Sequence, residues 1–154
     1  MTSAAVRPLR AEDAGELARL EALVEPTPWT AKDFLDVLKN DWRGRVLEAE
    51  DGSVAAWAVV MPNLDEAELL TIGVRPDLQG RGLGRAMLDD VLRLIDAENR
   101  VCCHLEVRES NLRAIRLYES NGFVRVGLRK NYSRTSDGRE NAVLMRRENG
   151  GAPC

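Results

Sequence analysis

A run of closely spaced glycines near the middle of the chain constrains the fold more than any other feature. The run Gln79-Gly80-Arg81-Gly82-Leu83-Gly84-Arg85 follows an apolar, strand-like segment that ends at Val74, and a segment with helical spacing comes after it. Glycines at the start of a helix let backbone N–H groups converge on an anion, and the helix N-terminus adds positive potential. Arg81 and Arg85 add charge. The run therefore predicts a strand–loop–helix unit that binds a phosphate-bearing ligand, with a plain tight turn as the alternative.

Two common phosphate-binding motifs do not match this loop. A Walker loop ends in Gly-Lys-Ser/Thr, whereas Gly84 is followed by Arg85 and Ala86. The dinucleotide-binding fingerprint is Gly-x-Gly-x-x-Gly after the first strand of a βαβ unit, whereas this loop reads Gly-x-Gly-x-Gly and lies near mid-chain. A nucleotide loop of another kind stays open at this point.

Hydrophobic spacing predicts alternating strands and helices in a single domain, since 154 residues is the size of one domain. The Asp51–Gly52 pair predicts a hairpin turn. The predicted order is one strand, two helices, three strands, a helix, a strand, a helix and two strands, which is an α/β arrangement with a mixed sheet and helices on its faces. We place the domain at residues 1–148 and expect a disordered tail at 149–154. Strands are predicted at 6–9, 45–49, 54–60, 68–74, 101–107, 123–132 and 142–146, the last two joined by a loop that holds Asp137–Gly138. Helices are predicted at 11–24, after an N-cap at Thr30 with Asp33 in the capping-box position, and from the glycine loop to Ala97. A further helix is predicted from an N-cap at Asn111 to Asn121–Gly122, where glycine suits the left-handed position.

Composition excludes several classes of protein. The net charge of −3 gives no electrostatic case for direct nucleic-acid binding. No apolar run approaches the roughly 18 residues of a membrane span, and the first ten residues lack the apolar stretch of a signal peptide. Three cysteines, two of them adjacent, do not predict a disulfide framework. We therefore expect a cytoplasmic protein without a membrane partner.

Three residues stand out from the elements that carry them. Glu106 lies in an apolar strand, where it is either a salt-bridged structural carboxylate or a general base. Tyr118 lies on a helix beside Ile115, where it is either a core residue or a proton donor. Gly73 interrupts a strand of larger residues, which indicates a bulge or a close approach to the backbone.

The strand of Glu106 also carries Cys102 and His104 on the same face. Neighbouring side chains on one strand face lie about 6.6–6.8 Å apart along the strand, and the sequence offers no second element at ligand spacing. We therefore expect no metal, and a Cys–His nucleophile pair is equally disfavoured. His104 is the only histidine and no Gly-x-Ser-x-Gly elbow exists, so a serine hydrolase is not expected either.

The glycine loop and several later segments resemble a known family. Gln79-x-x-Gly82-x-Gly84 resembles the acyl-CoA loop of the GNAT superfamily of N-acetyltransferases, and its context matches, with a strand ending in Ile72-Gly73-Val74 before it. Within the superfamily, the chain from about Pro28 to Met145 resembles the RimI type, the ribosomal-protein-alanine N-acetyltransferases. The segments that carry this resemblance are Pro28-Trp29-Thr30, Leu105-Glu106-Val107-Arg108, Ser110-Asn111, Leu117-Tyr118-Glu119-Ser120, Gly122-Phe123, Asn131-Tyr132 and Asp137-Gly138-Arg139-Glu140. The chain departs from the type at Ser133, where many relatives carry a second tyrosine.

The resemblance implies a GNAT fold, with a mostly antiparallel sheet whose fourth and fifth strands splay apart, and acetyl-CoA as co-substrate. It implies Glu106 as the base, Tyr118 as the acid, and the Val74 amide as the donor to the thioester carbonyl. The implied coenzyme contacts are Ile72, Gly73, Val74, Gln79, Gly80, Arg81, Gly82, Leu83, Gly84, Arg85, Asn111 and Tyr118. The implied acceptor contacts are Trp29, Tyr132, Arg139 and Glu140. From the residues alone, Trp29 is equally a packing contact between two helices, and Arg139 and Glu140 are equally ordinary loop residues.

The expected function is acetylation of the N-terminal alanine of a ribosomal protein. An acetyltransferase for a small amine and a non-catalytic acyl-CoA sensor are the alternatives, and a sensor would need neither Glu106 nor Tyr118. We expect a monomer or weak dimer.

Overall fold

The computed structural model describes residues 5–135 and 138–149, with the backbone alone described for 133–135. The order of its main elements is the predicted one. Within these ranges the helices are α1 (Ala14–Val24), α2 (Ala31–Lys39), α3 (Leu83–Ala97) and α4 (Leu112–Ser120). The strands in the same ranges are β1 (Val6–Pro8), β2 (Arg43–Glu48), β3 (Val54–Asn63), β4 (Glu66–Val74), β5 (Cys102–Arg108), β6 (Val124–Thr135) and β7 (Gly138–Glu148).

The strands form one sheet in the order β1-β2-β3-β4-β5-β7-β6. β4 and β5 are parallel, whereas the β1–β2, β2–β3, β5–β7 and β6–β7 pairs are antiparallel. The mixed, mostly antiparallel sheet is therefore confirmed. The ladder between β4 and β5 runs from Glu66–Cys102 to Leu69–Leu105 and stops there, although both strands continue. This short ladder agrees with the splayed pair that the resemblance implies.

The helix ends show where local sequence decides structure. The predicted helix over 11–24 begins instead as a 3₁₀ turn at Ala11–Asp13, and α1 starts at Ala14. Asp13 accounts for the difference, because its carboxylate accepts a hydrogen bond from the Arg10 backbone N–H at 2.7 Å and tightens the turn. The predicted cap of α2 is confirmed, since Thr30 and Asp33 exchange hydrogen bonds as a capping box.

The chain divides into two compact units, the first of which comprises the described residues up to Met61 together with Leu70–Leu94. Its core gathers apolar side chains from α1, α2, β2 and β3, with Trp29 and Leu70 packed against them. In the same unit, Arg45 on β2 holds Asp90 on α3 through an ion pair of 2.8 Å. The buried core residues are Leu9, Ala14, Leu17, Leu20, Phe34, Val37, Val46, Val54, Trp57 and Val59.

The second unit comprises Pro62–Leu69 and the described residues from Ile95 onward. Its buried residues include Leu105 on β5, Ile115 on α4, and Phe123 just before β6. Asn149 is a correction to the predicted disordered tail, because it is only 2% exposed and its N–H donates to the Val101 carbonyl at 2.9 Å. Asn149 is therefore packed against the second unit, and residues 150–154 lie outside the described part. Among the described residues, no helix is long and apolar enough to cross a membrane.

Candidate active site

The glycine loop has the backbone conformation that the sequence predicts for an anion cradle. Gly80 and Gly82 have φ of +82° and +80°, in the left-handed region that favours glycine. A Cβ added at Gly82 would meet nothing within 4 Å, so the glycine is required by conformation and leaves open space beside the backbone. α3 begins at Leu83, and the exposed side chains of Arg81 and Arg85 flank this helix start. These features fit a diphosphate ligand.

The end of β4 is shaped by an indole ring. A Cβ at Gly73 would lie 2.2 Å from Cζ2 of Trp57, which is fully buried. The close approach predicted at Gly73 is thus confirmed, and the group that approaches is the Trp57 side chain. The Gln79 side-chain amide donates to the Val74 carbonyl at 3.2 Å and ties the glycine loop back to this strand.

Glu106 lies on β5 opposite Leu144 of β7, and its side chain is 27% exposed. Its Oε1 is 2.6 Å from Nη2 of Arg129 on β6. The ion pair is what a structural carboxylate would have, and the exposure to solvent is what a general base needs. The structure is therefore compatible with both interpretations of Glu106. Arg129 in turn lies over the ring of Tyr132, with Cζ 4.5 Å from the ring centroid.

A second carboxylate accompanies Glu106. Glu68 on β4 is the Cα partner of His104 on β5. Burial raises the pKa of Glu68, and the negative charge of Glu106 raises it further. Sequence reasoning missed Glu68 as a site residue because the predicted strand began there. The alternation of Glu66 and Glu68 with the buried Ala67 and Leu69 was the signal that could have found it.

Tyr118 and Asn111 belong to α4. Tyr118 is 5% exposed and its ring packs edge-on against Phe123, with centroids 5.7 Å apart. Asn111 caps the helix as predicted, since its side-chain oxygen accepts from the Ala114 N–H at 3.2 Å. α4 ends at Ser120, and Gly122 follows with φ of +92°, as the left-handed position after the helix predicts.

The predicted acceptor residues lie in two places. Trp29 is half-buried in the first unit, and its ring packs on Phe34 with centroids 5.2 Å apart. The other three lie on the β6–β7 hairpin of the second unit. Tyr132 is half-exposed, Arg139 donates to the Tyr132 carbonyl at 3.4 Å, and Glu140 accepts from the Ser110 hydroxyl at 2.7 Å. Asp137, predicted to form the turn of this hairpin, and the side chain of Ser133 lie outside the described residues.

The candidate metal ligands take a different arrangement from the one that the strand face predicts. Ligand atoms of Glu66, Cys102 and His104 lie within 4.8 Å of one another, so Glu66 replaces Glu106 as the third member. His104 Nε2 is 2.9 Å from Glu66 Oε1, which is an ordinary pairing of imidazole and carboxylate. Cys102 is disulfide-bonded, contrary to the sequence expectation, and its sulfur is therefore not a thiolate ligand. Burial raises the pKa of the Cys103 thiol to about 12, which disfavours a cysteine nucleophile there.

Comparison with known proteins decides the family. The model of the acetyltransferase (GNAT) family matches residues 14–123. The chain belongs to the GNAT family. A [ribosomal protein bS18]-alanine N-acetyltransferase of Escherichia coli K12 is 40% identical over 126 residues, covering 82% of this chain and 84% of that protein.

Solved structures agree with the GNAT assignment. The crystal structure of the ribosomal-protein-S18-alanine N-acetyltransferase from Escherichia coli superposes with a TM-score of 0.90 at 35% identity, covering 98% of this chain and 97% of that one. A GNAT superfamily phosphinothricin acetyltransferase from Sinorhizobium meliloti, in complex with AcCoA, has a TM-score of 0.83 at 20% identity, covering 97% and 90%. The second likeness concerns the fold alone. Members of the GNAT family use acetyl-CoA as the acetyl donor.

Proposed function

We propose that this protein is an acetyl-CoA-dependent Nα-acetyltransferase that acts on the N-terminal alanine of a ribosomal protein. The observation that carries the proposal is the 40% identity, over most of both chains, to an enzyme named for that activity. The chain also has a carboxylate at Glu106 and a phenol at Tyr118, which a binding module for acyl-CoA would not need. We further propose that the protein acts in the cytoplasm as a monomer or weak dimer.

The coenzyme part of the site is assigned to the first unit. The loop from Gln79 to Arg85 binds the diphosphate through its backbone N–H groups, supported by the positive φ of Gly80 and Gly82. Ile72, Gly73 and Val74 offer backbone groups to the pantetheine arm, and the Val74 amide donates to the thioester oxygen. Asn111 is also assigned to the coenzyme, on the family resemblance of the Ser110-Asn111 segment. Acetyl-CoA supplies the acetyl group as a reactive thioester.

The chemistry is assigned to two residues of the second unit. Glu106 accepts a proton from the α-ammonium group of the acceptor, and the neutral nitrogen then forms its bond to the thioester carbon. Tyr118 donates its hydroxyl proton to the sulfur as the carbon–sulfur bond breaks, so that coenzyme A leaves as a thiol. The nitrogen loses its second proton as the amide forms, and this proton restores the Tyr118 hydroxyl, while Glu106 releases its proton to solvent. Positioned proton transfers of this kind each contribute about 10²–10⁴-fold in rate.

We assign Trp29, Tyr132, Arg139 and Glu140 as acceptor contacts, on the resemblance of their segments to the RimI type. A site that fits alanine closely would reject added volume, so peptides that begin with alanine should react well and those that begin with leucine or phenylalanine poorly. The test is acetyl transfer to a series of peptides that differ only in the first residue, followed by mass spectrometry. Equal rates along the series would contradict the alanine preference, and acetylation of small amines alone would favour a small-molecule acetyltransferase.

A further inference from the structure

A buried carboxylate in the first unit has no part in the chemistry described above. Glu21, on α1, is only 1% exposed. Its Oε1 accepts from the indole N–H of Trp57 at 2.9 Å and from the hydroxyl of Thr71 at 3.0 Å. Its Oε2 accepts from the backbone N–H of Trp29 at 3.3 Å. One carboxylate therefore joins α1 to β3, to β4 and to the segment between α1 and α2.

Two of these donors lie beside the strand end that is assigned to the thioester, Thr71 on β4 itself and Trp57 on the neighbouring β3. Thr71 lies two residues before Gly73 on β4, so both positions face the same side of the strand. The Trp57 indole lies directly against Gly73, where a Cβ would be 2.2 Å from the ring. The hydrogen bond from Trp57 to Glu21 fixes how this ring is turned. Glu21 thereby fixes the surface on which the Ile72–Val74 backbone rests.

The third donor belongs to the segment assigned to the acceptor. Pro26 and Pro28 have no N–H group, so this segment has few backbone donors with which to anchor itself. The Trp29 N–H provides an anchor through Glu21, and the Trp29 ring packs on the fully buried Phe34. The geometry of Trp29 thus depends on the Glu21 carboxylate.

A purely structural account explains the residue type less well. A buried carboxylate is costly unless it is fully hydrogen-bonded, and all three of its donors here are neutral groups. An apolar side chain of similar volume would fill the same space with a smaller cost in desolvation free energy than a carboxylate. What an apolar side chain lacks is the ability to accept from three elements at once.

We propose that Glu21 is a positioning residue that sets the acceptor segment at Trp29 and the donor strand at Gly73 in a fixed mutual geometry. The inference rests on the proposed function, because it takes Trp29 as an acceptor contact. Glu21 itself touches neither substrate.

The test is Glu21→Gln, which keeps the shape and removes one acceptor. Because two donors meet Oε1 and a single, longer bond meets Oε2, the amide oxygen keeps the Oε1 place and the NH₂ group faces the Trp29 N–H. The acceptor KM should rise about tenfold, while kcat and the stabilisation by coenzyme A change little. Glu16→Gln is the matched control on the same helix, because among the described residues Glu16 accepts a hydrogen bond only from the Val54 N–H, at 3.1 Å.

A second variant separates positioning from stability. Thr71→Val removes one of the two donors to Oε1, and the Trp57 indole still holds that oxygen while Oε2 still accepts from the Trp29 N–H. This variant should therefore lower the melting temperature and leave the acceptor KM unchanged. An equal rise in acceptor KM for Thr71→Val and Glu21→Gln, or no rise for Glu21→Gln, would overturn the inference.

Hydrogen exchange at the Trp29 amide, followed by NMR without substrates, gives a readout that is independent of activity. Glu21→Gln should speed this exchange, and unchanged exchange would contradict the role assigned to Glu21. A wild-type enzyme that fails to acetylate the alanine peptide would instead contradict the proposed function. The two failures are therefore distinguishable.

Discussion

Nη2 of Arg129 lies 2.6 Å from Oε1 of Glu106, so the proposed base already holds a cation before any acceptor binds. The guanidinium belongs to β6, at the edge of the sheet, next to the point where the β6–β7 register shifts between Arg129 and Ser133. An α-ammonium group that approaches Glu106 competes with this guanidinium for the same carboxylate. Arg129 can meanwhile keep its contact with the Tyr132 ring.

Arg129→Met should lower the acceptor KM, because it removes the competing cation. The Arg129 side chain is 49% exposed, and pairs of this kind are worth about 0.2–1 kcal/mol, which corresponds to a fall of up to roughly fivefold. Steady-state kinetics with an alanine-started peptide measure the effect. Arg125→Met is the control on the same strand, since Arg125 pairs with Glu119 at 3.5 Å. A raised acceptor KM for Arg129→Met would mean that the arginine binds the acceptor directly.

Glu106→Gln and Tyr118→Phe should each lower kcat by about 10²–10⁴-fold, because each removes one proton-transfer group. Both changes preserve side-chain shape, so the affinity for acetyl-CoA should remain close to that of the wild type. Turnover measured beside calorimetric titration with coenzyme A separates the two effects. Wild-type turnover in both variants would refute the assigned roles.

Gly82→Val should abolish the rise in melting temperature that coenzyme A produces. Valine is strained at a φ of +80°, so the loop would have to leave the conformation that presents its N–H groups. Gly15→Val is the matched control, because a Cβ at either glycine meets nothing within 4 Å, and φ is positive only at Gly82. A folded Gly82→Val variant that keeps the full shift would exclude the loop as the diphosphate site.

Glu68→Gln should raise the melting temperature near neutral pH and have little effect below the ordinary carboxyl pKa of 4.5. Burial and the Glu106 charge raise the pKa of Glu68, so folding is penalised once the pH exceeds that ordinary value, and fully above the raised one. Asp13→Asn should have the opposite sign, because the hydrogen bond from Arg7 lowers the pKa of Asp13 below 3.8. The stability that Asp13 provides near neutral pH is lost as the pH falls through its lowered pKa. Thermal melts of both variants against pH check the two signs, and a gain from Glu68→Gln that persists at low pH would contradict this explanation.

The sequence predicted the element order because its signals are local. The Thr30–Asp33 capping box, the Asp51–Gly52 turn and the Asn111 cap depend on residues within one or two turns of chain. The strands of the closing hairpin were predicted too short, at 123–132 and 142–146, whereas they are Val124–Thr135 and Gly138–Glu148. Backbone hydrogen bonds between β6 and β7 extend both strands over polar residues. The local sequence of those residues does not predict a strand.

The site was predictable only where a motif was present. The glycine loop, Glu106 and Tyr118 stand in segments that resemble the family. Three further residues were not predicted because their properties depend on partners that are distant in sequence. Glu21 bonds to Trp57, Arg129 pairs with Glu106, and the charge of Glu106 acts on Glu68. The spacing of apolar residues in α1 predicts the helix that carries Glu21, but it does not indicate which groups the Glu21 carboxylate binds.

The identity of the amine is the central claim, and its chemistry allows a direct test. An α-amino group has a pKa of about 7.7–8.0 and a lysine side chain about 10.4, so the first is far easier to deprotonate near neutral pH. The decisive measurement compares acetylation rates on three acceptors: a ribosomal peptide that begins with alanine, the same peptide with a blocked N-terminus and a free lysine, and spermidine. We predict that the unblocked peptide reacts fastest by a wide margin. Faster acetylation of the blocked peptide or of spermidine would contradict Nα-acetylation and leave only the membership of the GNAT family standing.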